Sequence, residues 1–313
     1  MVKTGRKKIT IVGAGNVGAT IAYTLTLSGL APEILLIDVD EFKAEGEAMD
    51  IMQGTAFSPT VKINVGTYKD AVDSNIVIIT AGAGRKPGQT RIDLCQTNIN
   101  IMRKIVPEIA KYATDAVFVV VSNPVDVLTY ATMKLSGFPA SRVIGSGTVL
   151  DSSRLRTSIS DILNINSHDI QAYILGEHGE TAMVPWSMAS IAGIRLDNFL
   201  KITGTDFNKE TIFNEVQKAG ASVIERKGAT FYAIALSVRR ICEAILRDSS
   251  SVLTVSTLIG GQYGINDVCL SLPVVVGSDG VQRDIKLDLT NEEEQQLVAS
   301  ATALRKTLDT LTI

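Results

Sequence analysis

Histidine, cysteine and tryptophan are scarce in this 313-residue sequence: two histidines (His168 and His178), three cysteines (Cys95, Cys242 and Cys269) and a single tryptophan. Three widely spaced cysteines with no Cys-x-x-Cys pair supply neither a disulfide framework nor a zinc-ligand set, and they fit a reducing compartment. No metal site is expected. There is no run of about 18 apolar residues, so no membrane span is expected. The basic stretch Met1–Lys8 leads into only a few apolar residues before glycine, too few for a secretory signal. Charge of one sign is also missing. The 30 Lys+Arg against 33 Asp+Glu leave −3, which gives no global reason to bind nucleic acid or an anionic membrane. A cytoplasmic protein is the expectation. What is present is material for a core: 45% of residues are hydrophobic and 20% charged, in a length that suits two domains.

The first half alternates short β-branched runs with helical patterns. The runs are Ile9–Val12, Ile34–Ile37, Ile76–Thr80, Val117–Val121 and Val143–Ile144. Helical spacing covers Val17–Leu27, Glu41–Gln53 and Asn98–Tyr112. Runs without polar alternation read as strands buried on both faces, which predicts a Rossmann-type, doubly wound α/β domain over residues 1–145. From residue 146 the rhythm changes. Helices are expected over Ser152–Leu163, Lys209–Glu225 and Phe231–Arg247, and strands over Gln171–Leu175, Val252–Leu258, Val268–Val276 and Val281–Lys286. A final helix should open at Thr290, which has capping-box spacing to Glu293. Residues 146–313 are therefore read as an α+β substrate domain.

Gly13-Ala14-Gly15-Asn16-Val17-Gly18 is a GxGxxG between a strand and a helix, followed by a second strand and then Asp38. The first glycine permits a tight turn, the second lets backbone approach a pyrophosphate, and the third lets helix pack on strand. The helix N-terminus favours phosphate. A carboxylate at Asp38 accepts from ribose hydroxyls and repels a 2′-phosphate, which selects NAD over NADP. A second segment, Gly176-Glu177-His178-Gly179-Glu180, puts a histidine on a loop flanked by Gly176 and Gly179, a poor design for core packing. His168, in Asn166-Ser167-His168-Asp169, reads as a polar surface turn. Asp151 and Arg154 stand three apart in the first turn of a helix, on one face. Taken singly, Asp151 also suits a helix cap and Arg154 a surface ion pair.

Together with these segments, Thr80-Ala81-Gly82, Arg85-Lys86-Pro87-Gly88-Gln89-Thr90-Arg91, Ser122-Asn123-Pro124-Val125-Asp126 and Lys227-Gly228-Ala229-Thr230 occur in order along the chain. In this set of motifs the sequence resembles the L-lactate/malate dehydrogenase family over essentially its whole length, and most closely the bacterial NAD-dependent lactate type. The resemblance implies a reversible hydride transfer between NADH and pyruvate. It implies that His178 exchanges the hydroxyl proton, that Asp151 orients it, and that Arg91 polarises the carbonyl when its loop closes. It implies a substrate site of Arg154, Arg85, Asn123 and Thr230. It implies an NAD site of Gly13, Gly15, Val17, Gly18, Asp38, Ala81, Gly82, Asn123 and Ile234. The stretch Gly82–Asp93 reads as a mobile lid. A homotetramer, or at least a dimer, is implied as well.

The choice of acid stays open at this point. Arg85 stands where many lactate dehydrogenases carry glutamine and malate dehydrogenases carry arginine, and Gln89 replaces a common glutamate. A second cation suits the extra carboxylate of oxaloacetate, so malate or dual specificity is the alternative to lactate. Arg156 matches the arginine of the fructose 1,6-bisphosphate site in bacterial relatives, but Gln171 holds the histidine position. Weak or absent activation by that effector is expected.

Overall fold

The computed structural model describes residues 7–84 and 88–313. Six parallel strands come first: β1 (Lys8–Val12), β2 (Glu33–Ile37), β3 (Lys62–Val65), β4 (Ile76–Ile79), β5 (Val117–Val120) and β6 (Val143–Gly145). Their order in the sheet is β3-β2-β1-β4-β5-β6, so the chain reverses direction across the sheet between β1 and β4. In doubly wound folds ligands bind at this switch point, beyond the carboxyl ends of the strands. All four residues of β4 and all four of β5 are buried. Helices therefore cover both faces, as the unbroken apolar runs predict. Replacing a fully buried residue such as Ile78 with alanine would cost about 2–5 kcal/mol.

The helices of this half are α1 (Asn16–Ser28), α2 (Glu41–Gln53), α3 (Arg91–Ala110) and α4 (Val125–Ser136). Two differ from the sequence reading. α3 starts seven residues earlier than Asn98, at Arg91, because Thr90 and Asp93 form a reciprocal capping box. The end of the expected lid is thus the first turn of a helix. α4 was not expected at all. It is buried along most of its length, and Val125, Val127, Thr129, Tyr130 and Thr132 are β-branched or aromatic residues that favour strand locally. The short β3, KINV, carries no continuous apolar run, since half its residues are polar.

The sheet does not end at residue 145. β10 (Ser251–Gly260), β11 (Asn266–Gly277) and β12 (Gly280–Asp284) extend it antiparallel, β10 meeting β6 at Ser256 and Gly145. Nine strands form one sheet. Around it lie α5 (Val149–Leu163), α6 (Leu196–Thr203), α7 (Lys209–Lys227), α8 (Tyr232–Arg247) and α9 (Asn291–Asp309). β7 (Ile170–Gln171), β8 (Ser190–Ile191) and β9 (Ile194–Arg195) make a small separate sheet. The strand expected over Gln171–Leu175 is reduced to β7 and a single bridge from Leu175 to Met183. Thr290 caps α9 through its box with Glu293, as the spacing predicts. Among the described residues, no helix is long and apolar enough to cross a membrane.

Candidate active site

The glycine loop leaves β1 and enters α1. Gly13 has φ +104°, and a Cβ there would lie 2.7 Å from the Ala81 nitrogen. A Cβ on Gly18 would lie 1.9 Å from the Gly13 carbonyl oxygen. Both glycines are needed by the fold itself. Gly15 is different: a Cβ there would meet nothing within 4 Å, so the fold leaves room beside this backbone for something else to approach. Gly15 is also the N-cap of α1, whose first turn carries no acidic residue. That leaves the helix N-terminus free to favour an anion. Asp38 follows β2, with Oδ2 accepting from the Ala14 N–H at 2.5 Å and Oδ1 from the Asp40 N–H at 2.9 Å. An open glycine at a helix N-terminus with a carboxylate just past the end of the next strand fits a dinucleotide with an unphosphorylated ribose.

From this loop a cavity of about 870 Å³ runs between the ends of β4 and β5 on one side and α5, α7 and α8 on the other. Val17, Gly82, Asn123, Asp151, Arg154, His178, Thr230 and Ile234 all line it. Gly13, Gly15, Asp38 and Ala81 lie outside that lining, although Gly13 directly follows β1 and Ala81, two residues past β4, donates to the Val12 carbonyl at 3.0 Å. Arg85 lies outside the described residues.

Asp151 is the hub of the inner end. It sits in the first turn of α5, two residues after the first, so it is not the cap; Thr148 holds that position. Its Oδ2 is 2.5 Å from His178 Nδ1, and its Oδ1 accepts from Arg154 Nη1 at 3.1 Å. All three side chains are largely buried. Burial opposes a charged imidazole, but the charge and hydrogen bond of Asp151 outweigh it and raise the His178 pKa above its ordinary value. Burial equally opposes the Asp151 carboxylate, and His178 and Arg154 overcome it, holding that pKa low. The result is an imidazole whose Nδ1 is fixed by a carboxylate and whose Nε2, among the described residues, is left for chemistry.

The His178 loop is tied at its neck. Leu175 bridges Met183, and Gly176 pairs with Ser271 of β11. Two acidic residues not singled out from sequence anchor it. Asp126, in the first turn of α4, accepts the His178 N–H at 2.8 Å and the Ser256 hydroxyl at 2.6 Å. Glu177 accepts the Thr181 hydroxyl at 2.6 Å and is ion-paired with Arg91. A charged residue inside the apolar string Val125-Asp126-Val127-Leu128 was the available signal for Asp126. Arg91 itself does not line the cavity; it is half-exposed at the start of α3. His168 is exposed and contacts Asn166. Arg156 donates to the Ser152 carbonyl at 3.3 Å, and Gln171 accepts from the Tyr173 hydroxyl at 3.2 Å. Among the described residues, no cluster of histidine, cysteine or carboxylate groups is arranged to hold a metal ion.

Family models agree with this architecture in both halves. The lactate/malate dehydrogenase NAD-binding domain matches residues 7–145, and the lactate/malate dehydrogenase α/β C-terminal domain matches residues 148–312. The chain belongs to the lactate/malate dehydrogenase family. It is an NAD-dependent oxidoreductase. It is 49% identical over 310 residues to an L-lactate dehydrogenase of Acetivibrio thermocellus, covering 98% of each chain. It is 50% identical over 307 residues to L-lactate dehydrogenase 1 of Clostridium acetobutylicum, covering 97% of this chain and 98% of that one. Among solved structures it is similar to the minor L-lactate dehydrogenase of Enterococcus mundtii in its ligand-bound form, with a TM-score of 0.95, 41% identity, and 98% and 99% of the two chains covered. A lactate dehydrogenase from a Medee basin deep-sea metagenome library matches with a TM-score of 0.94 and 42% identity, over 97% of this chain and 98% of that one.

Proposed function

We propose that the chain is an L-lactate dehydrogenase, reducing pyruvate to L-lactate and running in reverse. The observation that carries this reading is the Asp151 carboxylate shared between His178 Nδ1 and Arg154 Nη1 on the wall of one cavity. Gly13, Gly15, Val17, Gly18, Asp38, Ala81, Gly82, Asn123 and Ile234 would hold NAD. When bound, the cofactor supplies the hydride that reaches C2 of the substrate.

Arg154 binds the substrate carboxylate through two of its three guanidinium nitrogens, a planar geometry that lysine does not offer. His178 enters the reaction as imidazolium, a state that Asp151 favours. As the carbonyl π bond gives way, the oxygen takes the His178 proton and becomes the hydroxyl, and Asp151 then faces a neutral ring. Asn123 donates to the same oxygen. Arg91 leaves Glu177 to polarise the carbonyl, and such preorganised donors lower the barrier where charge develops. Thr230 and Ile234 form the wall that confines the substrate beside the nicotinamide.

Relatives at 49–50% identity named L-lactate dehydrogenase support pyruvate over oxaloacetate. The test compares kcat/KM for the two acids by NADH absorbance. A preference for oxaloacetate of about tenfold or more would overturn the assignment, being about 1.4 kcal/mol of transition-state discrimination. The second reading, dual specificity, rests on Arg85. Arg85→Gln should then lower oxaloacetate turnover selectively.

A homotetramer or dimer belongs to the same proposal, together with a cytoplasmic location and weak or absent response to fructose 1,6-bisphosphate. Support for self-association comes from large apolar side chains that the single chain leaves exposed on α1, α2 and α8: Tyr23, Leu27, Phe42, Met49, Tyr232 and Leu236. α1 packs against both α2 and α8, and exposed apolar side chains gathered on packed helices suit an interaction surface.

A further inference from the structure

Asp126 is a carboxylate 3% exposed, enclosed by the core of the sheet. A buried acid in such a place needs partners or a purpose. It has two donors, each from a different part of the chain: the Ser256 hydroxyl on β10 and the backbone N–H of His178. Both of its oxygens are thereby used, one per donor. The bond to the N–H fixes the backbone from which the His178 side chain departs, while Asp151 fixes the ring. Two carboxylates thus grip one residue, one at the main chain and one at Nδ1.

We infer that Asp126 is a positioning residue for His178, holding the loop backbone in place over α5 and bringing a second negative charge near the imidazole. Among the described residues, Glu180 of the loop and Lys218 of α7 line the same cavity as His178. α5 contributes Asp151 and Arg154, and the loop itself Glu177, which is neutralised by Arg91 of α3. From β11 comes Cys269, whose thiol burial pushes well above its ordinary pKa, so it stays uncharged. Among the described residues, the imidazolium of His178 is the cation that acts on Asp126. Burial raises its pKa to about 6, against the Ser256 and His178 hydrogen bonds. Its charge is present above that pH and fades below it. After Asp151, Asp126 is the next charge favouring the protonated form of His178.

The consequence for the reaction is directional. Pyruvate reduction needs the imidazolium, so losing the Asp126 charge shortens its range at high pH. Lactate oxidation needs the neutral ring and gains range at low pH.

Only two histidines are present, and His168 is on the surface. Histidine-selective labelling of the full-length protein therefore gives two imidazole resonances, assigned with H168N, and the titration of His178 is read directly. Asp126→Asn keeps both hydrogen bonds, its oxygen accepting the His178 N–H and its amide donating to Ser256, and removes only the charge. The His178 midpoint is expected to fall by roughly half a pH unit or more, with the His168 midpoint unmoved. On the alkaline side that leaves about threefold less imidazolium, and kcat/KM for pyruvate should drop in step. An unmoved His178 midpoint in folded D126N overturns the inference. If D126N does not fold, Ser256→Ala is read instead. It removes the donor that steadies the Asp126 charge, so the midpoint should move in the same direction, and an unmoved one again overturns the inference. The inference rests on His178 being the proton donor. Retained pyruvate turnover in H178N would remove that assignment, whereas an unmoved midpoint in D126N removes the Asp126 role alone.

Discussion

The Glu177 carboxylate, one residue before His178, is ion-paired with the Arg91 guanidinium at the first turn of α3. Glu177 is buried and its other oxygen is occupied by Thr181, so the pair connects the wall behind His178 to the end of the lid segment. Arg91 must exchange this partner for substrate if it polarises the carbonyl. Arg91→Gln should lower kcat for pyruvate by about 100-fold or more, the scale of losing one donor at a developing oxyanion. NADH affinity, measured by fluorescence titration, should stay unchanged. A loss below about tenfold would place Arg91 outside the chemistry.

Asp151→Asn removes the main influence that raises the His178 pKa while leaving the ring buried. Burial then acts unopposed except by Asp126, and the neutral ring is favoured. The alkaline limb of the pyruvate-reduction profile should move to lower pH, with kcat/KM down by roughly 100-fold or more, as expected when a histidine loses its orienting carboxylate. A reduced rate with an unshifted limb would mean that Asp151 orients without tuning.

Asp126→Asn should not weaken the fold at pH 7.5. The folded-state pKa of Asp126 is raised to about 6 from 3.8, so the native state binds the extra proton and stability falls as pH rises from about 4 to about 6. Above that window the buried charge costs up to about 3 kcal/mol. Asparagine carries no such cost. Thermal unfolding should give D126N a Tm at or above that of the parent at pH 7.5, with the advantage gone near pH 4. A lower Tm at pH 7.5 would show that the Asp126 hydrogen bonds hold the fold more strongly than burial of the charge opposes it.

The glycines of the loop should separate into two kinds. Gly18→Ala forces a methyl onto the Gly13 carbonyl and should lower Tm with or without cofactor. Gly15→Ala meets nothing in the chain, so the apo Tm should match the parent while the NADH Kd rises by about tenfold or more. An unchanged Kd in G15A would mean that the cofactor approaches from elsewhere.

What could be read from the sequence followed from how local each signal is. β1, β2, β4, β5 and β6 were legible because a buried parallel strand is a continuous apolar run, and α2 matches its expected span, Glu41–Gln53. α4 was not legible, since its β-branched and aromatic residues favour strand locally. The joining of β10 to β6 was not legible either, because nothing local encodes which edge a distant strand will meet. The site divides in the same way. His178, Asp151 and Arg154 lie in motifs that can be recognised one at a time, and the cavity brings them together. Asp126 and Glu177 sat inside recognised motifs without a role. Their partners, Ser256 and Arg91, are 130 and 86 positions away in sequence, and only the folded chain supplies them.

The addition of β10 to the sheet beside β6 also bears on synthesis. Until Ser251–Gly260 has emerged, β6 is an edge strand with unpaired backbone donors and acceptors, a template for pairing with another chain. The growing polypeptide therefore passes through an interval in which its first half is nearly formed but unsealed. Intermolecular strand pairing and chaperone capture compete for it most strongly then, and arrival of the β10–β11 hairpin closes that window.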